Sequence, residues 1–407
     1  MQPTSRQAYN ATYRDERYRS YVRRLQALLG SRVGFRLAET PVFFAPELVA
    51  RCERTAREII AQLAEPERLA SMRGAVPARF RGPDPGRLPQ FAVVDFAIAR
   101  AADGSLEPRV VELQGFPSLY AFETFQRDAW LEELDEPLCE TGWSAFYSGL
   151  DRDAYLDLLR RTILGPSDPE SVVLVDVEPE HQKTACDFVA TRALFGVDAI
   201  DPRELIRRGK RLYRRDAAGR ERPVERIYNR LVGDDLVRPE LELPFDLRDE
   251  LDVTWAPHPQ WFWLWSKASL PHLDHPAVPR THLLSELDAL PERLSEDYVL
   301  KPLFSFAGSG VDVRPTASAC AAIAAAERER WCLQEKIAYA PALAMPDGGG
   351  VKVELRVLFL RPEGTAALVP ATNLCRLSRG EQHGVDHNKD LSWVGSSIGL
   401  WNGLTAS

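Results

Sequence analysis

The stretch VLKPLFSFAGSGV, residues 299 to 311, begins as an apolar strand and ends in a loop of small residues. A loop of this kind can bring backbone N–H groups close to an anion, because no bulky side chain stands in the way. Lys301 interrupts the strand just before the loop. A lysine beside such a loop indicates a phosphate site; the alternative is a lysine that is solvated at the end of a strand.

Two common phosphate-binding motifs are excluded. The chain contains no G-x-x-x-x-G-K-[ST], and the loop at 305 to 310 does not follow the G-x-G-x-x-G pattern that opens a helix after a strand. A phosphate site at Lys301 therefore requires a different nucleotide-binding fold.

Composition describes an ordinary globular protein. The chain has 407 residues, of which 45% are hydrophobic and 27% charged, enough for two or three domains. A net charge of −8 argues against a general polyanion-binding surface, so nucleic acid is not an expected partner. The first twenty residues lack an apolar signal segment, and no run of about 18 apolar residues could span a membrane. We therefore expect a cytoplasmic protein without a membrane partner.

The six cysteines are widely separated and include no C-x-x-C pair, which argues against a zinc site, a redox motif or a disulfide framework. We expect buried thiols at all six positions, which are Cys52, Cys139, Cys186, Cys320, Cys332 and Cys375.

Hydrophobic periodicity predicts the elements of the first 240 residues. Apolar residues recur every three to four positions from 45 to 72, which predicts an amphipathic helix. The segments 91 to 98 and 109 to 114 read as strands joined by a turn. An apolar run at 171 to 179, a helical stretch and a short strand then predict a layered α/β unit within 166 to 240.

After residue 297 the pattern changes to a strand, the glycine loop, a helix over 316 to 330 and a strand at 331 to 337. Further strands are predicted at 351 to 361 and 365 to 375. The second half is thus an α+β region built around a loop of the size that binds a nucleotide.

The order of three segments resembles the nucleotide site of ATP-grasp proteins. YVLKPLFSFAGSGV is followed by WCLQEKI and then by VELRVLFL, and SKASLPHL at 266 to 273 adds a second lysine ahead of them. By this resemblance the chain binds ATP, with its phosphates at the lysines and loop and its adenine at the WCLQEKI strand. The implied nucleotide-binding residues are Lys267, Lys301, Ser305, Gly308, Ser309, Gly310, Gln334, Glu335 and Ile337.

The metal ligands of an ordinary ATP-grasp enzyme, E-x-N near the end of the domain, are missing after residue 376. VVDFAIARAADGSLEPRVVELQGFPS is similar to the D…E-x-N set of the circularly permuted, glutathionylspermidine synthase-like branch. The resemblance implies that Asp95, Glu112 and Gln114 hold Mg²⁺, with Gln114 standing where the pattern has asparagine. The alternative is structural, with Glu112 paired to an arginine and Gln114 bonded to a turn.

The resemblance also implies catalytic cations. Arg356 of VELRVLFL, Arg376 of NLCRLSRG and Lys389 of HNKDLSWVG would stabilise charge on a phosphoryl group in transfer. Arg356 could instead pair with Glu354 or another carboxylate. We interpret H-x-x-D-H at 383 to 387 as a solvated loop and the aromatic run WAPHPQWFWLWSK at 255 to 267 as core.

The expected architecture is a multidomain protein of the α+β and α/β classes, namely a circularly permuted ATP-grasp fold with a pre-grasp α/β domain. Residues 1 to 165 would form a helical and β segment that carries the transposed metal strands. Residues 166 to 255 would be the pre-grasp domain, and 256 to 407 the two nucleotide-binding subdomains.

The resemblance implies an ATP-dependent ligase that joins a small-molecule or peptide carboxylate to an amine through an acylphosphate. Two alternatives stay open. One is an ATP-binding scaffold or regulatory module without ligase turnover, and the other is a kinase that acts on a small molecule.

Overall fold

A computed structural model describes residues 1–236, 241–305, 310–380 and 390–403. Within these ranges the strands are β1 Val42–Phe43, β2 Phe91–Arg100, β3 Leu106–Gln114, β4 Val172–Val175, β5 Asp198–Ile200, β6 Ile206–Arg208, β7 Arg211–Arg215, β8 Glu221–Val224, β9 Arg226–Asn229, β10 Thr254–Ala256, β11 Thr281–Leu283, β12 Tyr298–Pro302, β13 Trp331–Glu335, β14 Leu343–Ala344, β15 Gly350–Leu360, β16 Val369–Ser378, β17 Gly395–Ser397 and β18 Gly399–Leu400.

The α-helices of the described ranges are α1 Pro3–Thr12, α2 Asp15–Leu29, α3 Pro46–Leu63, α4 Pro66–Met72, α5 Tyr120–Glu132, α6 Arg152–Leu164, α7 Ala185–Phe195, α8 Gly233–Leu236, α9 Trp261–Leu264, α10 Leu294–Asp297 and α11 Ala317–Ala322. A 3₁₀ helix at Lys267–His272 follows α9 directly and carries one of the two expected phosphate lysines.

An antiparallel sheet in the order β17-β16-β15-β2-β3 forms the centre of the molecule, with β14 paired to β15. Strand β2 is buried on both faces from Phe91 to Ala99, as expected for a strand with neighbours on both sides and layers above and below. Helices α3, α5 and α6 contact this sheet, and the 3₁₀ helix contacts β3. The hairpin β2-β3 was predicted from the sequence, and its extent is close to the expectation.

Besides the two-stranded pair β1-β18, the described residues form three further sheets. The strands of the order β10-β9-β4-β5 are all parallel, with β4 in the interior and fully buried. The antiparallel sheet β11-β13-β12 carries Lys301 on β12 and Gln334 on β13. A small antiparallel unit, β6-β7-β8, lies between β5 and β9 in the chain. The layered α/β unit and the change to α+β after residue 297 thus agree with the sequence interpretation.

Two predicted helices are interrupted. The helix expected over 45 to 72 is divided into α3 and α4, because Pro66 begins the second helix and cannot continue the hydrogen bonding of the first. The helix expected over 316 to 330 consists of α11 and a 3₁₀ helix at Ala325–Arg330.

Asp187 on α7 joins that helix to the start of α5. Its carboxylate is fully buried and accepts hydrogen bonds from the backbone N–H groups of Leu119, Ala121 and Phe122, at 2.9 to 3.0 Å. These are N–H groups that a helix start leaves without backbone partners. Leu119 has φ of +66°, a strained value for a residue with a side chain, and its N–H bond to Asp187 helps to hold that turn. The turn follows Gln114 by five residues and so sets where β3 ends.

We expect Asp187→Ala to lower the free energy of unfolding by about 3 kcal/mol or more, since three buried N–H groups would lose a charged acceptor. Urea denaturation followed by circular dichroism measures this change. Asp153→Ala, at an exposed position on α6, is the control and should change stability by less than about 0.5 kcal/mol. Equal effects of the two substitutions would contradict the role of Asp187.

Candidate functional site

A β-bulge in the hairpin β2-β3 brings the acidic residues onto one face of the central sheet. Asp95 is opposite Glu112, whereas Phe96 is opposite Val110, so Val111 is the extra residue of β3. Without this residue Asp95 would oppose Val111, and the Glu112 side chain would point to the other face. The bulge therefore places Glu112 and Gln114 beside Asp95.

Asp95 and Arg356 form a buried ion pair across strands β2 and β15. Arg356 Nε lies 2.7 Å from Asp95 Oδ1, and its Nη2 lies 2.6 Å from Oδ2, a bidentate geometry between two residues directly opposite in the sheet. Arg376 Nη2 donates to the same Oδ2 at 2.8 Å. The alternative partner expected for Arg356, Glu354, lies on the same strand and pairs with Arg376 instead, at 2.9 Å.

Glu112 faces four cationic groups. Its Oε2 lies 3.6 Å from Lys267 Nζ, and its Oε1 lies 3.8 Å from Arg356 Nη2 and 3.9 Å from Arg376 Nη2. Lys301 also favours the ionised form of Glu112, from a greater distance. Because the cluster holds the carboxylates Asp95, Glu112 and Glu354 against two lysines and two arginines, one positive charge is in excess.

The pKa values of Asp95 and Glu112 are shifted in opposite directions. Burial raises the pKa of Glu112, but Lys267, Arg376 and Arg356 outweigh it and lower the pKa to about 2. Burial raises the pKa of Asp95, although its two arginines oppose that shift by favouring the charged form. Glu112 is the more exposed of the two, with 20% of its side chain accessible against 1% for Asp95. Glu112 is thus an ionised group open to a ligand.

Lys301 is buried rather than solvated at a strand end. It is 8% exposed, and its Nζ donates to Gln334 Oε1 at 2.5 Å across the strands β12 and β13. Burial lowers the pKa of Lys301, while Glu112 raises it. Gln334 is 1% exposed, and its Nε2 has no hydrogen-bond partner in the described part of the chain. This buried amide N–H could donate a hydrogen bond to a ligand bound beside Lys301.

Five of the other expected nucleotide residues lie in the described ranges, namely Lys267, Ser305, Gly310, Glu335 and Ile337. Lys267 Nζ donates to the carbonyl oxygen of Ser305 at 2.8 Å, which joins the second lysine to the start of the small-residue loop. Gly310, at the loop's end, has φ of +72°. Glu335 ends β13, and Ile337 follows two residues later. Three predicted residues, Gly308, Ser309 and Lys389, lie outside the described residues, as does the H-x-x-D-H motif.

The three expected magnesium ligands are brought together, but they offer unequal access. Both oxygens of Asp95 accept from guanidinium groups, and Gln114 Oε1 accepts from Arg356 at 3.3 Å. Gln114 Nε2 donates to Glu112 Oε1 at 3.1 Å. Among the described residues, no group of three His, Cys, Asp or Glu side chains is arranged to hold a metal ion. Glu112 Oε2 accepts no hydrogen bond from the described residues, and magnesium contact by Asp95, Glu112 or Gln114 stays a prediction.

Glu354 and Tyr339 belong to the cluster, and the sequence analysis gave neither a site role. Glu354 is 5% exposed and accepts a 2.5 Å hydrogen bond from the Tyr339 hydroxyl. The signal for Glu354 was its spacing of two from Arg356, which puts both side chains on one face of β15. The only signal for Tyr339 was its place just after the WCLQEKI strand.

Other expectations have mixed outcomes. The aromatic run is core, because residues 261 to 265 are each at most 6% exposed. Five cysteines are buried as expected, but Cys139 is exposed because it lies in a short 3₁₀ turn at the surface. Over the described ranges, no helix has the length and apolar character needed to cross a bilayer.

No protein-family model matches this chain, and no curated protein matches it either. Its structure is similar to that of a glutathione synthetase-like effector from Globodera pallida in the apo form. The two share 11% sequence identity, and the match covers 97% of this chain and 98% of that chain with a TM-score of 0.56. At this identity the likeness concerns the fold alone, a mixed α/β fold with several sheets. The circular permutation stays an expectation.

The lowered pKa of Glu112 predicts a pH-dependent contribution to stability. A carboxyl group with a lowered folded-state pKa stabilises the fold above its usual pKa, about 4.5, and loses that contribution as the pH falls towards 2. At pH 7 we expect Glu112→Gln to be less stable than the parent by on the order of 3 kcal/mol. The difference should shrink below pH 4.5 in urea denaturation between pH 7 and 3. A difference that stays constant over this range would contradict the assignment.

Proposed function

We propose that the protein is an ATP-dependent carboxylate–amine ligase that acts through an acylphosphate. The observation that carries this proposal is the convergence of Lys267, Lys301, Arg356 and Arg376 on the ionised Glu112. These residues come from distant segments and meet between the central sheet and the sheet β11-β13-β12. The likeness in fold to a glutathione synthetase-like protein supports the same class of reaction.

The nucleotide would bind between these two sheets. Lys301 and Lys267 would contact its phosphates, because they are the cations on the side of the small sheet and the loop. The unmet N–H of Gln334 would donate to an acceptor of the nucleotide, on the strand that the motif order assigns to adenine. An ion held by Glu112 would lie near the phosphates and supply charge neutralisation.

Arg356 and Arg376 would stabilise the transferring phosphoryl group. Both guanidinium groups are held by carboxylates before any ligand binds, so little reorganisation is needed at the moment of reaction. An acylphosphate must also be protected from water until the amine attacks it. The small-residue loop over 305 to 310 would provide this protection, and Ser305 at its start accepts a hydrogen bond from Lys267.

The cleft beside Glu112 is nearly closed in this conformation. Its volume is about 20 Å³, which holds about one water molecule. Its lining combines charged, polar, aliphatic and aromatic groups, namely Glu112, Leu113, Gln114, Phe116, Phe262, Trp265, Ser266, Lys267, Leu303, Phe304 and Ser305. Binding of a nucleotide here would require the small sheet and the loop to move away from the central sheet, a motion typical of enzymes that enclose their substrates.

One observation favours the alternative of a nucleotide-binding protein without turnover. Asp95 and Gln114 are engaged by Arg356, which leaves one carboxylate where the motif order implies three metal ligands. The similar structure is that of a glutathione synthetase-like effector. In this alternative the site binds nucleotide, and the ion pairs replace the metal.

Both functions require that the protein binds a nucleotide. Mg-ATP at 100 times its dissociation constant should stabilise the protein by roughly 2.7 kcal/mol in a thermal-shift titration. Lys301→Met keeps the apolar stem and removes the charge, so it should weaken binding at least tenfold with little loss of stability. Lys210→Met, at a surface ion pair on the turn between β6 and β7, is the control and should bind like the parent. No stabilisation of the parent by millimolar Mg-ATP would contradict both functions.

The second prediction separates the functions by their products. A ligase releases ADP and orthophosphate together when a carboxylate and an amine are supplied, whereas a small-molecule kinase releases ADP without orthophosphate. Hydroxylamine traps acylphosphates, so ADP release from pools of carboxylic acids in its presence measures the first step. We expect Glu112→Gln to lower this rate at least 100-fold and to weaken nucleotide binding less than tenfold. Nucleotide binding without product from any pool would favour the protein without turnover.

A further inference from the structure

A second cavity is lined in part by Trp261 and Leu264 of helix α9, whereas Phe262 of that helix lines the cleft beside Glu112. It has a volume of about 340 Å³, within the range of small-molecule sites. It is lined by Pro66, Leu69, Ala70, Arg73, Asp84, Pro85, Gly86, Arg87, Trp261 and Leu264. The cleft beside Glu112 is lined by other residues altogether, as far as the structure describes both.

The walls of this cavity are held in place by specific contacts. On one side, Gln260 Nε2 donates to the carbonyl of Pro83 at 2.9 Å, and Trp261 Nε1 donates to that of Pro85 at 3.1 Å. Arg361 holds the far end of the same loop through the carbonyl of Pro89, at 3.0 Å. The cavity is therefore formed before a ligand arrives, which reduces the entropic cost of binding.

The opposite wall is α4, which is attached to the segment that carries Lys267. The Arg68 guanidinium donates to the carbonyl of His272, and Ser71 Oγ lies 3.3 Å from the ring of the same histidine. His272 is the last residue of the 3₁₀ helix that begins at Lys267. The cavity thus borders the site without being part of it.

The charges at the rim favour an anion. Arg73 and Arg87 both line the cavity, and Asp84 is the opposing carboxylate. Arg73 reaches Asp84 only at 3.5 Å, with both side chains more than 60% exposed, so this pair is weak. Within the described residues Arg87 makes no hydrogen bond or ion pair. Arg87 is thus unpaired among the described residues, and an anion could displace Asp84 from Arg73.

We propose that this cavity binds a small organic anion with an apolar body, such as an aromatic or alkyl carboxylate or sulfonate. Leu69, Ala70 and Pro85 supply accessible apolar surface for the body over a buried floor of Trp261 and Leu264. Arg73 and Arg87 contact the anionic group. A single negative charge matches the excess of one guanidinium over Asp84. The site is separate from the nucleotide cleft and does not depend on the proposed ligase activity.

The probe for this site is 1-anilinonaphthalene-8-sulfonate, an aromatic anion whose fluorescence rises in apolar surroundings. Calorimetry and fluorescence with the full chain should show one saturable site. The uncharged analogue N-phenyl-1-naphthylamine should bind more weakly. Arg73→Gln and Arg87→Gln should each weaken binding of the sulfonate about two- to fivefold, the range of a partly exposed ion pair, and their combination more than either alone.

Two further variants and one control distinguish a change at the cavity from a general loss of structure. Asp84→Asn should strengthen binding, since it removes the competing carboxylate, and a general loss of structure would not do this. Ala70→Trp, at an exposed helix position on the cavity wall, should abolish binding by filling the space. Arg54→Gln, on the exposed face of α3, should leave the affinity unchanged.

The outcome is independent of nucleotide binding. The titration is repeated with Mg-ATP and with Lys301→Met, and we expect the same affinity for the sulfonate in each case. Displacement by Mg-ATP would locate the probe in the nucleotide cleft and overturn the proposal. So would the absence of a saturable site, or equal affinities of the parent and the Arg73→Gln/Arg87→Gln variant.

Discussion

The ion pair between Arg356 and Asp95 is the constraint on which the site depends. Two charges at 8% and 1% side-chain exposure would be unfavourable alone, and removing either partner of such a pair costs about 3–5 kcal/mol. Because the two residues are directly opposite in neighbouring strands, the pair is satisfied in one register only. In the two adjoining strand pairs, Glu354 is opposite Arg376 and Asp95 is opposite Glu112. The charged face of the central sheet is therefore specified as a unit.

The small sheet completes this unit from the other side. Lys301 has a neutral partner, Gln334, and Lys267 has a backbone carbonyl and a distant carboxylate. Neither lysine is neutralised as fully as Arg356. The arginines of the central sheet are thus paired with carboxylates, whereas Lys301 of the small sheet and Lys267 of the 3₁₀ helix keep charge that a ligand could neutralise. This asymmetry explains why an anion would enter from the side of the small sheet.

Much of this arrangement could be predicted from the order and spacing of motifs. Lys301 and its loop were visible because a lysine in an apolar strand is unusual, and the i, i+2 spacing predicted that Glu112 and Gln114 share a face. The bulge at Val111 could not be predicted, since an extra residue in a strand leaves no compositional trace. The sequence also could not show that Arg356 pairs with Asp95 rather than with Glu354. That pairing depends on the register between two strands that are about 260 residues apart in the chain. The second cavity, lined by Arg73, Arg87 and Trp261 among others, is formed by three separate segments, and no sequence motif marks it.

The wide separation of the paired strands has a consequence for the order of folding during synthesis. Strands β2 and β3 leave the ribosome early, but their neighbour β15 ends at residue 360, and β1 pairs with β18 at residues 399 and 400. Until then the hairpin β2-β3 exposes an unpaired edge, and Asp95 lacks both of its arginines. Contacts of such long range form slowly and leave nascent chains open to aggregation. The hairpin is therefore a segment with an unprotected edge until β15 has been synthesised.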